Sequence, residues 1–418
     1  MKVRAATGPN KRSYGADGRL SLGQGSQIRQ PNREPPMDTL SNTVAAIDSE
    51  QQKAKLFVAL ELGQATWVVA LHSPIADKIS IYRIEGGDTD QLMALIEKKR
   101  VQAARRLGRA AQVVSCYEAG RDGFWLHRFL IRRGIDNRVL DSASILVDRR
   151  ARRAKTDRLD ARALLRVLMA LVRGEEQVCR VVRVPSIAQE DERRLSRERE
   201  RLLHERNSHI ARIKGLLILH GVRDYRLIER DWKERLDAVR TTEGQALPAR
   251  AKTEIERECR RLWLAKQMLA EVEREIEQMI AHDGAVAGKL IQVRGIGQTF
   301  ASVLTHEVYY RSFDNRRQVG SYLGLVSIPW QSGSIRRDQG ITRSGNARAR
   351  RCAIELAWLW LRHQPGSALA CWYRTRVGTM TGRMRRIALV ALARKLIVAL
   401  WRYLQNGIVP EGAVLKAA

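Results

Sequence analysis

The chain has 418 residues, 44% of them hydrophobic, enough for two or three domains and at least one large core. Its 75 Lys and Arg against 45 Asp and Glu leave a net charge of +30, which points to a polyanionic partner, nucleic acid by default. The five scattered cysteines form no CxxC pair and no long apolar run or leader-like segment is visible, which argues against a disulfide scaffold, a zinc finger, a secretory signal and a membrane span, and fits the cytoplasm.

Residues 1–36 carry Gly, Arg, Asn, Gln and Pro with almost no apolar side chains, a composition that cannot offset ordering entropy. Residues 1–52 therefore read as a disordered basic extension, and Met37 reads as an alternative start. From Leu56 the pattern changes. Leu56–Leu60, Thr66–Leu71 and Lys78–Ile84 predict three consecutive strands, and Asp88–Leu107 a helix capped by Asp88 or Thr89. Ala111–Tyr117 predicts a fourth strand, Gly123–Arg133 a helix, Asn137–Leu140 a short fifth strand, and Thr156 to about Leu171 a further helix. That order is α/β and matches the RNase H-like fold over residues 53–175.

Residues 176–284 turn to Glu, Arg and Leu at helical spacing, with Leu202, Ile213 and Leu217 in one run and Ile255, Leu262 and Ile276 in another. The intervening Thr241–Pro248 breaks the pattern, so the stretch predicts two long helices in an antiparallel hairpin, a coiled-coil spacer that joins protomers or holds nucleic acid. Residues 285–405 predict a last, mostly helical domain, followed by a tail at 406–418. Within it, Tyr322–Ile328 reads as strand-like and Met384–Leu404 as the final helix.

Four acids stand at suggestive places. Glu61 follows the first strand's apolar run and Glu118 ends the fourth strand. Asp157 and Asp160, three apart, share one face at the start of a helix. If the first and fourth strands are neighbours, these carboxylates converge, and hard oxygen ligands in one small volume call for Mg²⁺, which serves phosphodiester chemistry. The plain alternative for the Asp pair is ordinary acidic charge at a helix N-terminus. Farther on, Gly295-Ile-Gly297 followed by Phe300, Ala301 and Leu304 resembles a helix-hairpin-helix that approaches a phosphate, or is simply a turn. Gln331-Ser-Gly-Ser334 lies near Arg336, Arg337, Arg343, Asn346, Arg348 and Arg350. A serine there suits attack on a phosphodiester held by arginines; otherwise the segment is a polar turn with a phosphate-binding patch.

Taken in order, Tyr117-Glu-Ala-Gly120, Thr156-Asp-x-x-Asp-Ala161, Gly295-Ile-Gly297, Tyr322-Leu-Gly-Leu325, Ser332-Gly333 and Gly345-Asn346 resemble the DEDD-type insertion-sequence transposases, the "one-ten" family related to Piv-type invertases, over roughly residues 55–405. The resemblance implies a RuvC-like N-terminal domain whose acids Glu61, Glu118, Asp157 and Asp160 bind Mg²⁺, and a C-terminal domain in which Ser332 forms a transient phosphoserine link to DNA. It also implies a homo-oligomer, dimer or tetramer, that works on element ends and target DNA with a structured guide RNA. Ser334 and Ser344 are rival nucleophiles; Ser332 holds the family's Ser-Gly position. The family's first acid is typically Asp, whereas this chain has Glu61, whose longer arm moves the carboxylate outward. Two other functions share parts of this pattern: a structure-specific endonuclease of the Holliday-junction type, which needs the acids but no serine, and a basic scaffold that binds RNA or DNA without catalysis.

Overall fold

Five strands form one sheet in a computed structural model that describes residues 54–145, 156–175, 177–223 and 231–416. Leu56, Val58, Ala59 and Leu60 bury the centre of β1 (Lys55–Leu62), and Trp67–Leu71 are buried throughout the middle of β2 (Thr66–His72). Strands covered on both faces need such continuous apolar runs. The sheet adds β3 (Ser80–Glu85), β4 (Gln112–Glu118) and β5 (Asp136–Leu140) in the order β3-β2-β1-β4-β5. β1 pairs antiparallel with β2 and parallel with β4, with Leu60 opposite Tyr117.

Contacts divide the described chain into two units: 54–117, 128–137 and 156–173 make the first, and 118–127, 138–145 and the residues from 174 onward the second. In the first unit, α1 (Thr89–Leu107) starts where the Asp88 carboxylate accepts the Gln91 N–H at 2.8 Å, and it stops at Gly108, whose φ of 65° only glycine adopts without strain. A second helix, α2 (Trp125–Arg132), follows β4. α3 (Asp157–Val172) is capped by Thr156 and turns Ala161, Leu164, Leu165 and Leu168 inward. The buried Cys116 thiol donates to the Leu164 carbonyl at 3.7 Å, which ties α3 to β4.

The second unit is built on two long helices, α4 (Ile187–Ile218) and α6 (Ala249–Asp283), with the short α5 (Trp232–Ala238) between them. Ser186 and Gln189 form a reciprocal capping box that starts α4. Arg199 with Glu273 at 2.7 Å, His209 with Glu258 at 2.7 Å and Arg212 with Glu254 at 2.6 Å pair rising positions with falling ones, so α4 and α6 run antiparallel. Their far end closes on Ile213, Leu217, Trp232, Ile255 and Leu262. At the near end, Leu202, Leu269, Val272 and Ile276 join the core of the C-terminal helices.

Those helices are α7 (Ala285–Gln292), α8 (Gln298–Leu304), α9 (Arg316–Tyr322), α10 (Ala347–His363), α11 (Ala368–Val377) and α12 (Arg383–Asn406), with one π-helical turn over Thr305–Tyr309. The strand expected over Tyr322–Ile328 is not there. α9 ends at Tyr322, Gly324 turns the chain with a φ of 65°, and Leu323 and Leu325 are buried in the helical core. The strand begins only at Ser327, as β6 (Ser327–Ser332), and pairs with β7 (Ile335–Ile341) in a hairpin. Residues beyond α12 return to the core: Arg294 N–H donates to Val414 O at 3.0 Å, Lys416 N–H to Gln292 O at 2.7 Å, and the buried Gln364 amide spans Arg294 and Val414. The expected extension at 1–52 lies outside the described residues. Among the described residues no helix is long and apolar enough to cross a membrane.

Candidate functional site

The parallel register of β1 and β4 makes Glu61 and Glu118 the residues that directly follow the matched pair Leu60 and Tyr117. Both are half-buried at strand ends and both are engaged in interactions. Asp157 and Asp160 lie in the first turn of α3, Asp157 exposed and Asp160 half-buried. Carboxylates are the right donors for a hard divalent cation. Among the described residues no three His, Cys, Asp or Glu side chains form a metal-holding group.

Gly295 and Gly297 stand between α7 and α8. Gly295 has φ 91°, and a Cβ there would come 2.7 Å from the His363 Cβ, so this glycine is required by the turn and by the packing of α10 against it. Lys416 Nζ caps the same turn, donating to Ile296 O at 3.1 Å.

Ser332 is the last residue of β6, opposite Ile335 across the two-residue turn Gly333-Ser334. Every residue of β6 is exposed, including Trp330 at 43%, and Ile335 on β7 is 60% exposed. Arg337 pairs with Trp330 and so shares the face of the Ser332–Ile335 pair, while Arg336, opposite Gln331, lies on the other face. Gly333 takes φ 56°, as a tight hairpin turn demands.

The remaining predicted residues are held by the fold. Asn346 caps α10, accepting the Arg348 and Ala349 N–H groups at 3.1 and 3.0 Å, while its amide donates to the Glu307 carboxylate at 2.9 Å. Arg348 is ion-paired with Glu200, and Arg350 donates to Leu323 O and Ser344 O, fastening the loop that precedes α10. In that loop Gly345 has φ 81° and Arg343, a non-glycine residue, has φ 56°. Ser344 donates its hydroxyl to Thr342 at 3.1 Å.

Beside this loop lies a cleft of about 1430 Å³, which sequence reading missed. Arg343, Ser344, Gly345 and Asn346 line it together with α4, Tyr310–Asp314 and Arg180–Arg183. Its lining residues Arg197, Tyr322 and Asn346 are bonded to Glu307, which is 1% exposed. Burial opposes ionisation of Glu307, but two hydrogen bonds from Arg197 at 2.8 and 3.2 Å, the Arg197 charge, the Asn346 amide and the Arg193 charge outweigh it and hold the carboxyl below its usual range. Burial pushes the Tyr322 phenol, which donates to Glu307 O at 3.0 Å, well up. The sequence did carry one signal for the cleft: Arg193, Arg197 and Arg201 recur every four residues, which places them in one row on α4.

Residues 287–371, which hold the glycine turn, the serine hairpin and α10, match the family described as Transposase IS116/IS110/IS902 family. The chain is 44% identical over 374 residues to a Sinorhizobium fredii protein named "Putative transposase y4rJ", covering 86% of this chain and 94% of that one. It is 26% identical over 334 residues, 76% of this chain and 87% of the other, to the transposase for insertion sequence element IS1111A of Coxiella burnetii. With its glycine turn, serine hairpin and α10 inside the matched segment and a relative aligned nearly end to end, this chain belongs to the IS116/IS110/IS902 family of insertion-sequence transposases.

Proposed function

We propose that this transposase cuts and rejoins DNA through Ser332. The observation that carries the reading is the setting of that hydroxyl: exposed, at the end of β6, with Arg337 on the same face of the paired strand. An arginine so placed suits a phosphodiester and the charge that builds up during attack. The serine oxygen would bond to phosphorus, and the deoxyribose oxygen would leave and take a proton. A hydroxyl of the second DNA strand would then attack the phosphoserine and return the proton to the serine.

The order and strand-end positions of Glu61, Glu118, Asp157 and Asp160 support a RuvC-like domain that uses Mg²⁺. Among the described residues they form no metal-holding group, so no step above passes through the ion. The resemblance of the ordered motifs to DEDD-type transposases supports a structured guide RNA, and the antiparallel pair α4 and α6 suits a coiled-coil joint in a homo-oligomer. The site of action would be the cytoplasm.

The test is plasmid recombination between an element end and its target. Ser332→Ala should abolish joined product and the covalent protein–DNA species, while Ser334→Ala and Ser344→Ala retain both. Full activity in Ser332→Ala would sink the serine reading and favour a junction nuclease. Isothermal titration with Mg²⁺ should show binding that Asp157→Asn with Asp160→Asn removes; equal binding by the variant would dismiss the four-acid site.

A further inference from the structure

Neither Ser332 nor Arg336 and Arg337 line the arginine cleft, and its chemistry calls for a ligand of its own. Eight arginines and four carboxylates line it, a net positive wall. Arg193 is the most telling of them. It is only 7% exposed, its Nε donates to His306 O at 2.9 Å, and its guanidinium lies 4.0 Å from the centroid of the Tyr310 ring. Yet its Nη2 is buried with no hydrogen-bond partner among the described residues. Arg311 repeats the pattern, stacked over Phe313 and Tyr322 at 5.3 and 5.0 Å with a buried, unpartnered Nε. Buried guanidinium N–H groups left without acceptors are costly, and an anion in the cleft would supply them.

The aromatic rings decide what kind of anion. Phe124 and Tyr310 line the same cleft as the arginines and are half-exposed, whereas Phe313 is buried under Arg311 and Tyr322. A duplex offers phosphates but keeps its base faces stacked, whereas a single strand offers both phosphates and open base faces. Arg197 is committed to Glu307 and Arg201 to Glu205, which leaves Arg183, Arg194 and Arg343 at the rim to meet phosphates. Arg194 has only a water-exposed pair with Asp191 at 3.3 Å, weak enough to yield. We propose that this cleft binds a single strand of nucleic acid, with phosphates on its arginines and unstacked bases on its aromatic rings. This goes beyond the strand-transfer reading and does not depend on Ser332.

The experiment uses the full chain and fluorescence anisotropy with labelled oligonucleotides of about 12 nucleotides: an RNA strand, a DNA strand of the same sequence, and the DNA duplex. Arg183→Gln with Arg194→Gln should weaken single-strand binding at least about tenfold and lower the salt slope by about one, with an unchanged melting temperature. Tyr310→Leu should weaken single strands by a similar factor and the duplex by less than about twofold. A preference between the RNA and DNA arms identifies which strand the cleft takes. Strands carrying 4-thiouracil should crosslink the unaltered protein at Phe124 or Tyr310. Unchanged affinity in both variants, equal losses for strand and duplex, or crosslinks confined to other peptides would each overturn the proposal. Ser332→Ala should bind these strands like the unaltered protein, so failure of the nucleophile leaves the cleft standing, and the reverse.

Discussion

Glu307 illustrates how a single side chain sets the geometry of a loop. It accepts from Arg197 and Asn346, and Asn346 in turn caps α10 and ends the loop that carries Arg343 and Ser344. Because its folded pKa lies below the unfolded value, its stabilisation is complete above the unfolded carboxylate pKa of about 4.3 and is lost as pH falls from there through the lower folded value. Glu307→Gln keeps the shape but leaves Arg197 without its counter-charge. We expect a loss of about 2–3 kcal/mol at neutral pH, discounted because Arg197 is half-exposed, and a flatter acid limb in the stability–pH profile. Chemical denaturation of both proteins between about pH 3 and pH 7 measures this; parallel profiles would show that Glu307 is not the titrating group.

At the scale of elements, α4 and α6 are long amphipathic helices whose stability comes from the seam between them. The two ends of that seam differ. The near end is continuous with the core of α7–α12, while the far end depends on its own small cluster, which includes Trp232 of α5. Trp232→Ala should therefore open a cavity costing about 3–5 kcal/mol locally. Hydrogen exchange should accelerate in α5 and in the facing turns around Ile213 and Ile255, with α10 and α12 unchanged. Acceleration across the whole C-terminal core would mean that the two clusters unfold together. The serine hairpin lies at the other extreme: β6 is exposed along its length and β6 and β7 pair only with each other. Isolated two-stranded ribbons are marginal in water, so the hairpin's geometry depends on its turn and on whatever it engages.

For the molecule as a whole, the governing quantity is the charge of +30. Each phosphate neutralised releases condensed counterions, so affinity for nucleic acid should fall by about a thousandfold or more between about 50 and about 200 mM salt. Filter binding across that range checks it; an affinity indifferent to salt would mean that the arginines pair among the protein's own acids and not with a polyanion. Several already do, since Arg199, Arg212 and Arg348 are bound to glutamates of the second unit.

Local pattern was enough to read most elements of the first unit, because strand and helix periods and caps such as Asp88 and Thr156 act within a few residues. It also placed the two long helices, whose apolar spacing persists over many turns. It misread Tyr322–Ile328, where an apolar run was divided between a helix end, a glycine turn and a strand by the pull of the distant helical core on Leu323 and Leu325. The candidate serine and acids were legible as residue types in order. That Asn346, Arg348 and Arg350 serve the fold, and that Arg193, Tyr310 and Arg343 line one cleft, was not. Burial and pairing between residues more than a hundred positions apart are properties of packing, which only the folded chain decides.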